Sequence, residues 1–419
     1  MYRIAIISYH TSPLASLGGA ETGGLNVYVR ELASELAERG HTVDVFTRRT
    51  DVDSPDTLPI SEAGSGSPLA RVVQITAGPP QYEEKGSLPA YVDAFADGVA
   101  TFVAEEGVSY DIIHSHYWLS GLAGERLKAR WGVPHIVMFH TLGEVKARSR
   151  VSEREPEPRI AAETAISRNA DRIVVASKDE QQLLVRYYGA EAGRISVVPC
   201  GVNLGLFQPI DKEEARKQLG LREDDRILLF VGRIEPLKGV DILLGAAAQV
   251  ESESDCFVLI VGGDESTREG EMAHLRDLAS QLGIAERVTF MGAVDHERLP
   301  LFYNAADVCV VPSFYESFGL VALEAMACGT PVVASRVGGL SVAIRDSETG
   351  YLIPWRCPEP FAERLELLLG NEELRRQFGL AARKEVERFR WSNVAEAVLG
   401  LYAEVIDGAP AMSQAVFRN

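Results

Sequence analysis

Short apolar, β-branched runs alternate with segments of helical periodicity along almost the whole chain. A run such as Ile227–Val231 is apolar at every position, which is typical of a strand buried on both faces. Strands of this kind, separated by helices, predict parallel sheets that are covered by helices on both sides. The predicted strands are Arg3–Ser8, Val43–Thr47, Val72–Ile75, Ile112–Ser115, His135–Phe139, Ile173–Ala176, Ile195–Val198, Ile227–Val231, Phe257–Val261, Val288–Met291, Val308–Val311, Pro331–Ala334 and Tyr351–Ile353.

Two series of such strands in one chain predict an α/β protein with two Rossmann-like domains. Gly201 and Pro209 interrupt regular structure between the series, and a charged helix, Lys212–Leu219, follows them. We therefore predict an N-terminal domain over residues 1–200 and a C-terminal domain over residues 201–390. Residues 391–419 are predicted to form a C-terminal helix. Its spacing leaves two arrangements open: the helix packs on the C-terminal domain, or it crosses back to the N-terminal domain.

The charge balance excludes some classes of partner. The chain has 419 residues with 42 Lys+Arg and 60 Asp+Glu, a formal net charge of −18. Such an excess argues against non-specific binding of nucleic acid or anionic membranes. No apolar stretch approaches the ~18–20 residues that span a bilayer, and a cytoplasmic protein is predicted. Five widely spaced cysteines predict buried free thiols in a reducing compartment, namely Cys200, Cys256, Cys309, Cys328 and Cys357.

Two polar segments of the N-terminal domain are predicted to be loops. Residues 18–24 are glycine-rich and lie between the first strand and a predicted helix, Val27–Arg39. Glycines at such a turn let backbone N–H groups approach an anion at a helix N-terminus, although a simple flexible loop is an equal alternative. The spacing matches neither the dinucleotide fingerprint nor the P-loop, which disfavours a dehydrogenase. The second segment, Asp51–Pro68, is predicted to be a surface loop.

A pair of cations marks the first turn of the C-terminal domain. The strand Leu228–Val231 runs into Gly232–Gly239, and this turn carries Arg233 and Lys238. Both side chains can reach a diphosphate that lies across the turn. The alternative is a pair of solvated surface cations, which is less favoured because both follow a strand in a chain of net negative charge.

Two carboxylates follow the strand Val308–Val311. Glu316 is predicted to lie in a loop, and Gly319 precedes an apolar helix whose N-terminus is free to bind phosphate. Glu324 lies on that helix, where an unpaired carboxylate is costly. It needs hydroxyl or cationic partners, and either a ribose diol or a buried salt bridge would supply them.

These motifs together resemble the retaining nucleotide-sugar glycosyltransferases of family four, and the resemblance covers essentially the whole chain. It implies the GT-B architecture, two Rossmann-like domains whose parallel sheets face each other across a cleft. It also implies that Arg233 and Lys238 bind the donor diphosphate, that Glu316 contacts the transferred sugar and that Glu324 binds the ribose. The other implied donor-binding residues are Gly23, Gly24, Phe318, Gly319, Leu320 and Val321.

The resemblance implies catalysis without a metal ion or any other cofactor. The paired cations and the helix N-terminus stabilise the leaving nucleoside diphosphate. No Asp-x-Asp motif follows a strand in the expected donor site, and the pair His114 and His116 lacks further ligands at a useful spacing. In the front-face mechanism of such enzymes the leaving phosphate oxygen takes the proton of the acceptor hydroxyl.

Motifs of the N-terminal domain indicate which class of acceptor substrate is expected. The segments His10–Pro13, Gly23–Tyr28, His114–Gly121 and His140–Leu142 resemble the D-inositol-3-phosphate N-acetylglucosaminyltransferases. Sucrose-phosphate synthases share much of the same frame. Both groups of enzymes use a phosphorylated polyol or sugar as the acceptor.

The same resemblance assigns the acceptor site. It implies that the acceptor phosphate is held by Lys85, Tyr117, Thr141 and Arg159, with Asn26 also in the acceptor site. One Lys, one Arg and two hydroxyls suit a phosphate. The alternative is that Lys85 and Arg159, which lie in charge-rich segments, are merely solvated. His140 is implied to contact the transferred sugar and completes the predicted catalytic set of His140, Arg233, Lys238 and Glu316; a structural histidine is the alternative.

The sequence thus predicts a hexosyltransferase that moves a sugar from a nucleoside diphosphate, UDP above all, to a phosphorylated polyol or sugar such as inositol phosphate. Transfer to fructose 6-phosphate, transfer to a lipid or polysaccharide, and nucleotide-sugar binding without catalysis are the alternatives. Gly292–Val294 stands where the inositol-phosphate enzymes have an Arg near the nucleotide base. The choice of UDP over ADP or GDP as the donor nucleotide is therefore left open. Neither nucleic acid nor membrane is a predicted partner, and a homodimer is left open.

Overall fold

Two compact units make up the chain. A computed structural model describes residues 1–15, 22–60, 69–149, 155–250, 256–263 and 269–408. Among the described residues, those within 1–15, 24–199 and 391–408 belong to the first unit, and those within 22–23 and 200–390 belong to the second. Residues 18–21 of the predicted glycine-rich turn and residues 61–68 of the predicted surface loop lie outside the described residues.

The first unit contains an eight-stranded sheet in the order β3-β4-β2-β1-β5-β6-β7-β8. Every pair of neighbours is parallel except β3 and β4, which are antiparallel. The strands are β1 (Arg3–Ile7), β2 (Thr42–Arg48), β3 (Thr57–Pro59), β4 (Ala70–Ile75), β5 (Ile112–His116), β6 (His135–Met138), β7 (Arg172–Val175) and β8 (Ile195–Val197).

The short strand β3 corrects the prediction that Asp51–Pro68 is a surface loop. Its residues pair with β4 in the register Thr57 to Val73, Leu58 to Val72 and Pro59 to Arg71. Three residues are too few to show an alternating pattern, and a proline is tolerated because β3 is an edge strand. Pairing with β4 therefore decides the structure of these residues, which their own sequence does not reveal.

Helices cover the first sheet, and the C-terminal helix is one of them. They are α1 (Gly24–Glu38), α2 (Val92–Glu106), α3 (Trp118–Trp131), α4 (Gly143–Ser149), α5 (Glu157–Asn169), α6 (Lys178–Leu183), which a π-helical turn Leu184–Tyr188 continues, and α15 (Trp391–Asp407). The ring of Trp391 packs edge-on against Tyr28 of α1 at 5.2 Å, and Tyr402 bonds His114 of β5. These contacts attach α15 to the first unit.

The second unit contains a six-stranded parallel sheet in the order β11-β10-β9-β12-β13-β14. Its strands are β9 (Arg226–Val231), β10 (Cys256–Val261), β11 (Val288–Gly292), β12 (Val308–Val311), β13 (Val332–Ser335) and β14 (Gly350–Ile353). Its helices are α7 (Lys212–Leu219), α8 (Val240–Ala247), α9 (Glu269–Gln281), α10 (Leu299–Ala305), α11 (Leu320–Ala327), α12 (Leu340–Ala343), α13 (Pro358–Leu369) and α14 (Glu372–Glu385).

The apolar run of β9 divides between two cores. Leu228 and Phe230 belong to the hydrophobic core on one face of the sheet, whereas Ile227 and Leu229 belong to the core on the other face. Successive side chains of a strand point to opposite faces, so a sheet that is covered on both sides needs apolar residues at every position. The burial pattern confirms the prediction of strands buried on both faces.

Each predicted strand has a counterpart in the structure, and the fold class, two α/β domains built on parallel sheets, is confirmed. The helix α7 has the predicted bounds because the carboxylate of Asp211 accepts the N–H of Glu214 at its start and Gly220 ends it in the left-handed conformation. One cysteine departs from expectation, since Cys357 is only half-buried while the other four are buried.

The order of the strands reverses at one point in each sheet. In the first unit the chain moves outward on one side of β1 and then returns to β5 on its other side, and in the second unit β9 lies between β10 and β12 in the same way. Open α/β sheets bind ligands beyond the carboxyl ends of the strands at such a switch point. The loops after β1, β5, β9 and β12 are therefore the expected positions of functional residues.

Candidate active site

The two loops at the switch point of the second sheet are in direct contact. The loop after β9 ends at Gly239 (φ +67°), where a Cβ atom would lie 2.2 Å from the carbonyl oxygen of Pro312 in the loop after β12. The N–H of Phe314 also donates to the carbonyl of Leu237 at 2.8 Å. Only glycine permits this approach, which joins the two loops into one structure.

The junction brings two predicted catalytic residues together. The Nζ of Lys238 lies 2.6 Å from Oε2 of Glu316, and both side chains are partly buried. Arg233, which is more exposed, pairs with Glu235 at 3.0 Å. A Cβ atom on Gly23 would lie 4.0 Å from Nε of Arg233. Arg233, Lys238 and Glu316 thus lie in the two joined loops at the carboxyl ends of β9 and β12, and binding of a donor diphosphate by these residues stays a prediction.

Two glycines that were not among the predicted site residues support the Glu316 loop. A Cβ atom on Gly338 (φ +43°) would lie 2.0 Å from the carbonyl oxygen of Glu316, and one on Gly339 would lie 2.4 Å from the carbonyl carbon of Phe318. The N–H of Gly339 donates to the carbonyl of Glu316 at 3.1 Å. The sequence did contain a signal for them. A Gly-Gly pair shortly after the predicted strand Pro331–Ala334 is typical of a close approach between backbone segments.

We expect Gly338→Ala to lower kcat/KM of the transfer reaction that the sequence predicts by at least about tenfold, because the added methyl group must displace the Glu316 loop and misplacement by 1 Å is costly in catalysis. The measurement is steady-state kinetics together with thermal unfolding. Gly270→Ala is the matched control, since a Cβ atom there meets nothing within 4 Å. Unchanged kcat/KM in Gly338→Ala would contradict a positioning role.

The helix α11 begins where the sequence predicted. Gly319 adopts the left-handed conformation (φ +74°) and Leu320 opens the helix. Oε1 of Glu316 accepts the N–H of Gly319 at 3.4 Å. Phe318 and Leu320 are buried and Val321 is half-buried. The predicted donor-binding residues therefore surround the N-terminus of α11, close to the Lys238–Glu316 pair.

The buried carboxylate of Glu324 has protein partners for both oxygens. Its Oε1 lies 3.0 Å from Nε2 of His296, and its Oε2 accepts the hydroxyl of Tyr303 at 2.7 Å. Burial and the adjacent Glu324 hold the pKa of Tyr303 well above its usual value, so this hydroxyl stays a donor. The sequence predicted hydroxyl or cationic partners, but His296 and Tyr303 themselves were missed because they are distant in sequence.

Three predicted acceptor residues meet in the first unit. The guanidinium of Arg159 donates to the hydroxyl and the carbonyl of Thr141 at 2.9 and 3.0 Å, and its Cζ lies 5.1 Å from the ring centre of Tyr117. The ring of Tyr117 packs against His10 at 4.5 Å. Residues that follow β1, β5 and β6 are thus gathered at one end of the first sheet.

Arg159 is a buried residue that is 4% exposed. The alternative interpretation, a solvated cation, is therefore wrong for this residue. Its Nε donates to Glu163 at 2.8 Å and its Nη1 donates to Glu155 at 2.7 Å. Burial disfavours the charge, but Tyr117, Glu163 and Glu155 outweigh it and raise the pKa of Arg159. The positive charge is therefore permanent.

Glu163 fixes the position of Arg159. Its Oε2 accepts the N–H of Gly143 at 2.9 Å and the hydroxyl of Tyr188 at 2.6 Å, and the carboxylate is fully buried. Tyr188 ends the π-helical turn that follows α6. The four-residue spacing of Arg159 and Glu163 on a helix was a signal for this pair, whereas nothing in the sequence pointed to Tyr188.

The remaining predicted acceptor residues lie near this group. Asn26 is buried on α1 and donates to the hydroxyl of Thr11 and the carbonyl of Ser12, both at 2.7 Å, so it supports the loop after β1. Lys85 is half-buried. Burial lowers the pKa of His10 well below its usual value, and the nearby charge of Lys85 lowers it further. Lys85 and Arg159 therefore both direct positive charge toward His10.

His140 is buried and adopts a left-handed backbone conformation (φ +62°) that is uncommon for a non-glycine residue. Its Nε2 lies 2.8 Å from Nδ1 of His116, whose ring packs against His114 at 4.4 Å. Nδ1 of His114 in turn lies 2.8 Å from the hydroxyl of Tyr402. The predicted catalytic histidine thus ends a buried chain of polar side chains.

Because these histidines are buried, we expect the free energy of unfolding to fall in acid. Burial is the main cause that lowers the pKa of His114 and of His140 to about 3, against about 6.5 in the unfolded chain. Between those values the unfolded chain binds more protons, so the free energy of unfolding falls as the pH drops below 6.5, by about 1.4 kcal/mol per histidine and pH unit. Thermal unfolding between pH 7.5 and 5 measures this.

His114→Gln should flatten that dependence, whereas His274→Gln, a change at an exposed position of α9, should leave it as in the wild type. Equal slopes in all three proteins would contradict a contribution of His114.

Two absences hold for the part of the chain that the structure describes. No group of three or more His, Cys, Asp or Glu side chains is arranged to hold a metal ion there. No helix among the same residues is long and apolar enough to span a bilayer.

Family models match both halves of the chain. The family described as Glycosyltransferase Family 4 matches residues 22–206, and the family described as Glycosyl transferases group 1 matches residues 211–385. The chain is 44% identical to the D-inositol 3-phosphate glycosyltransferase 2 of Catenulispora acidiphila, with 98% of this chain and 96% of that one covered. It is also 44% identical to the D-inositol 3-phosphate glycosyltransferase of Mycobacteroides abscessus, with 96% and 89% covered.

A solved structure is similar over almost the whole chain. The sucrose-phosphate synthase of Thermosynechococcus elongatus superposes with a TM-score of 0.88 at 38% sequence identity, with 98% of this chain and 100% of that one covered.

Proposed function

The chain belongs to glycosyltransferase family 4, with the GT-B fold, and we propose that it transfers a hexosyl group from a nucleoside-diphosphate sugar to inositol phosphate. The observation that carries this proposal is the buried group around Arg159. A cation held beside the hydroxyls of Thr141 and Tyr117, with Lys85 close by, suits an acceptor that carries a phosphate. Relatives at 44% identity that are named for D-inositol 3-phosphate support this choice of acceptor.

The second unit supplies the residues proposed to bind the donor. Arg233 and Lys238 offer two cations to a diphosphate, and backbone N–H groups of Leu320 and Val321 lie at the N-terminus of α11. Glu316 is proposed to contact the transferred sugar. For Glu324 the proposed ligand is the ribose, and the carboxylate must then share its oxygens with His296 and Tyr303.

The reaction is proposed to retain the anomeric configuration and to need no metal ion. Arg233, Lys238 and the α11 N-terminus stabilise the charge that develops on the leaving diphosphate. His140 is proposed to contact the sugar, and its neutral imidazole, with a pKa lowered to about 3, offers hydrogen bonds without a charge. UDP is the proposed nucleotide. Full activity in excess EDTA and an α-linked product from an α-linked donor, seen by NMR, are the expected results.

The decisive test is a matrix of UDP-, ADP- and GDP-sugars against inositol phosphate, fructose 6-phosphate and glucose 6-phosphate, with nucleotide release as the readout. We expect release that depends on both UDP-sugar and inositol phosphate. Release with donor alone would show hydrolysis without an acceptor, and no release with any pair would contradict the proposed function.

Transfer to fructose 6-phosphate is the second candidate. The specific observation that favours it is the similarity to a sucrose-phosphate synthase at a TM-score of 0.88 and 38% identity. The same group around Arg159 would serve either sugar phosphate, since its recognition is of the phosphate. The fructose 6-phosphate arm of the matrix distinguishes the two acceptors.

A further inference from the structure

A carboxylate already holds Arg159, the buried cation of the proposed phosphate site, together with a second cation, Lys146. Oε2 of Glu155 accepts a hydrogen bond from Nη1 of Arg159 at 2.7 Å, and Oε1 of the same residue lies 2.9 Å from Nζ of Lys146. The Glu155 side chain is only 8% exposed. Burial would raise the pKa of Glu155, but the two cations outweigh it and lower the pKa, so the carboxylate is ionised.

Glu155 and Glu163 hold Arg159 in different ways. Glu163 lies within α5 and receives three donors, the N–H of Gly143, the hydroxyl of Tyr188 and Nε of Arg159. Glu155 precedes Pro156, the residue that caps α5, and is outside the helix. Its partners among the described residues are the two cations, and Lys146 is 27% exposed. Glu163 is therefore a fixed counter-ion, and Glu155 is one that can be exchanged.

Among Arg159, Lys146, Glu155 and Glu163 the charges already balance, and Lys85 is a further cation nearby. Lys146 and Arg159 supply two positive charges, which Glu155 and Glu163 neutralise. A monoester phosphate carries about −1.5 to −2 charges at neutral pH. When it approaches Arg159 beside Thr141, it meets the Glu155 carboxylate on the same guanidinium, and like charges at such a distance repel.

We propose that Glu155 determines acceptor specificity by competing with the acceptor phosphate for Arg159 and Lys146. The inference rests on the proposed function of this group as the acceptor site. A phosphate replaces the carboxylate on both cations and so compensates for its departure. A neutral polyol offers no charge in exchange, so Glu155 stays in place and the unphosphorylated acceptor is rejected.

Calorimetric titration with inorganic phosphate tests the competition without any turnover. Glu155→Gln should lower the Kd of phosphate about tenfold, because the competing ionic hydrogen bonds are lost while the cations remain. The matched control is Glu157→Gln, which removes the same charge from an exposed position two residues away. In the Glu155→Gln background, Lys146→Ala should undo the gain.

Three results would overturn the proposal: an unchanged or higher Kd in Glu155→Gln, an equal gain in Glu157→Gln, or a gain that survives Lys146→Ala. The first would make Glu155 a positioning residue for Arg159. The second would attribute the gain to the loss of any nearby negative charge, and the third would show that the phosphate does not compete with Glu155 for Lys146.

Kinetics separate this proposal from the proposed function. If the wild type turns over inositol phosphate, Glu155→Gln should lower its KM more than it changes kcat and should leave the donor KM as it was. An inert wild type with any acceptor would contradict the proposed function while the phosphate titration still tests Glu155. A working wild type whose acceptor KM is unchanged in Glu155→Gln would overturn the role of Glu155 alone.

Discussion

Lys238→Ala is expected to lower kcat/KM for glycosyl transfer by about 10²–10³-fold, the usual effect of removing one group that stabilises a developing charge. Lys238 is held beside Glu316 at 2.6 Å by the contact between the loops after β9 and β12. Without the ammonium group, the leaving diphosphate loses a cation and Glu316 loses its partner. Arg233→Ala should have an effect of the same order. Single-turnover and steady-state kinetics measure the loss.

Two comparisons make this result specific. Lys217→Ala on α7 removes the same charge from an exposed position of the second unit and should keep wild-type kinetics. Thermal unfolding should show that Lys238→Ala is folded, since the Lys238 side chain is partly exposed and its loss opens no apolar cavity. Near-normal turnover in both Lys238→Ala and Arg233→Ala would remove the basis of the proposed donor site.

Arg159→Ala is expected to have a large effect of a different kind, on both acceptor binding and stability. It leaves the buried carboxylates of Glu163 and Glu155 without their shared cation. Breaking a buried ion pair from one side destabilises a protein by about 3–5 kcal/mol. In the proposed function it should also raise the acceptor KM by more than about tenfold, with little change in the donor KM.

Arg159→Lys tests the second effect if Arg159→Ala does not fold. A lysine keeps the charge but cannot bond Glu163, Glu155 and Thr141 in the same planar geometry. We expect an intermediate stability and a raised acceptor KM. Arg168→Ala, at an exposed position of the same helix, is the control for both measurements. Equal increases of acceptor and donor KM would count against a role in acceptor binding.

Helical and strand periodicity were sufficient to predict the architecture. Every strand of Val-, Ile- and Leu-rich sequence was predicted, because a strand buried on both faces must be apolar at each position. The three-residue strand Thr57–Pro59 was not, since it forms only by pairing with β4. The candidate site was likewise predictable where local sequence marks it. Arg233, Lys238 and Glu316 could be predicted as site residues because each follows a strand.

Partnerships between side chains that are distant in sequence were not predictable. Lys238 and Glu316 are 78 residues apart and meet because Gly239 lets two loops touch. Tyr188, His296 and Tyr303 had no signal, because each acquires its partner only through the packing of distant elements. Arg159 is the clearest case, since a charge-rich segment indicated solvent exposure and tertiary contacts buried the residue instead.

The sequence by itself determined the α/β class, the succession of strands and the loops that carry the charged residues, because hydrophobic periodicity and local turn chemistry act over a few residues. Only the tertiary structure decided which carboxylate holds which cation, and it decided that His114 and His140 are neutral and Arg159 is charged. The physical reason is that burial and electrostatic interaction depend on distance in space, which the folded chain sets between residues far apart in sequence.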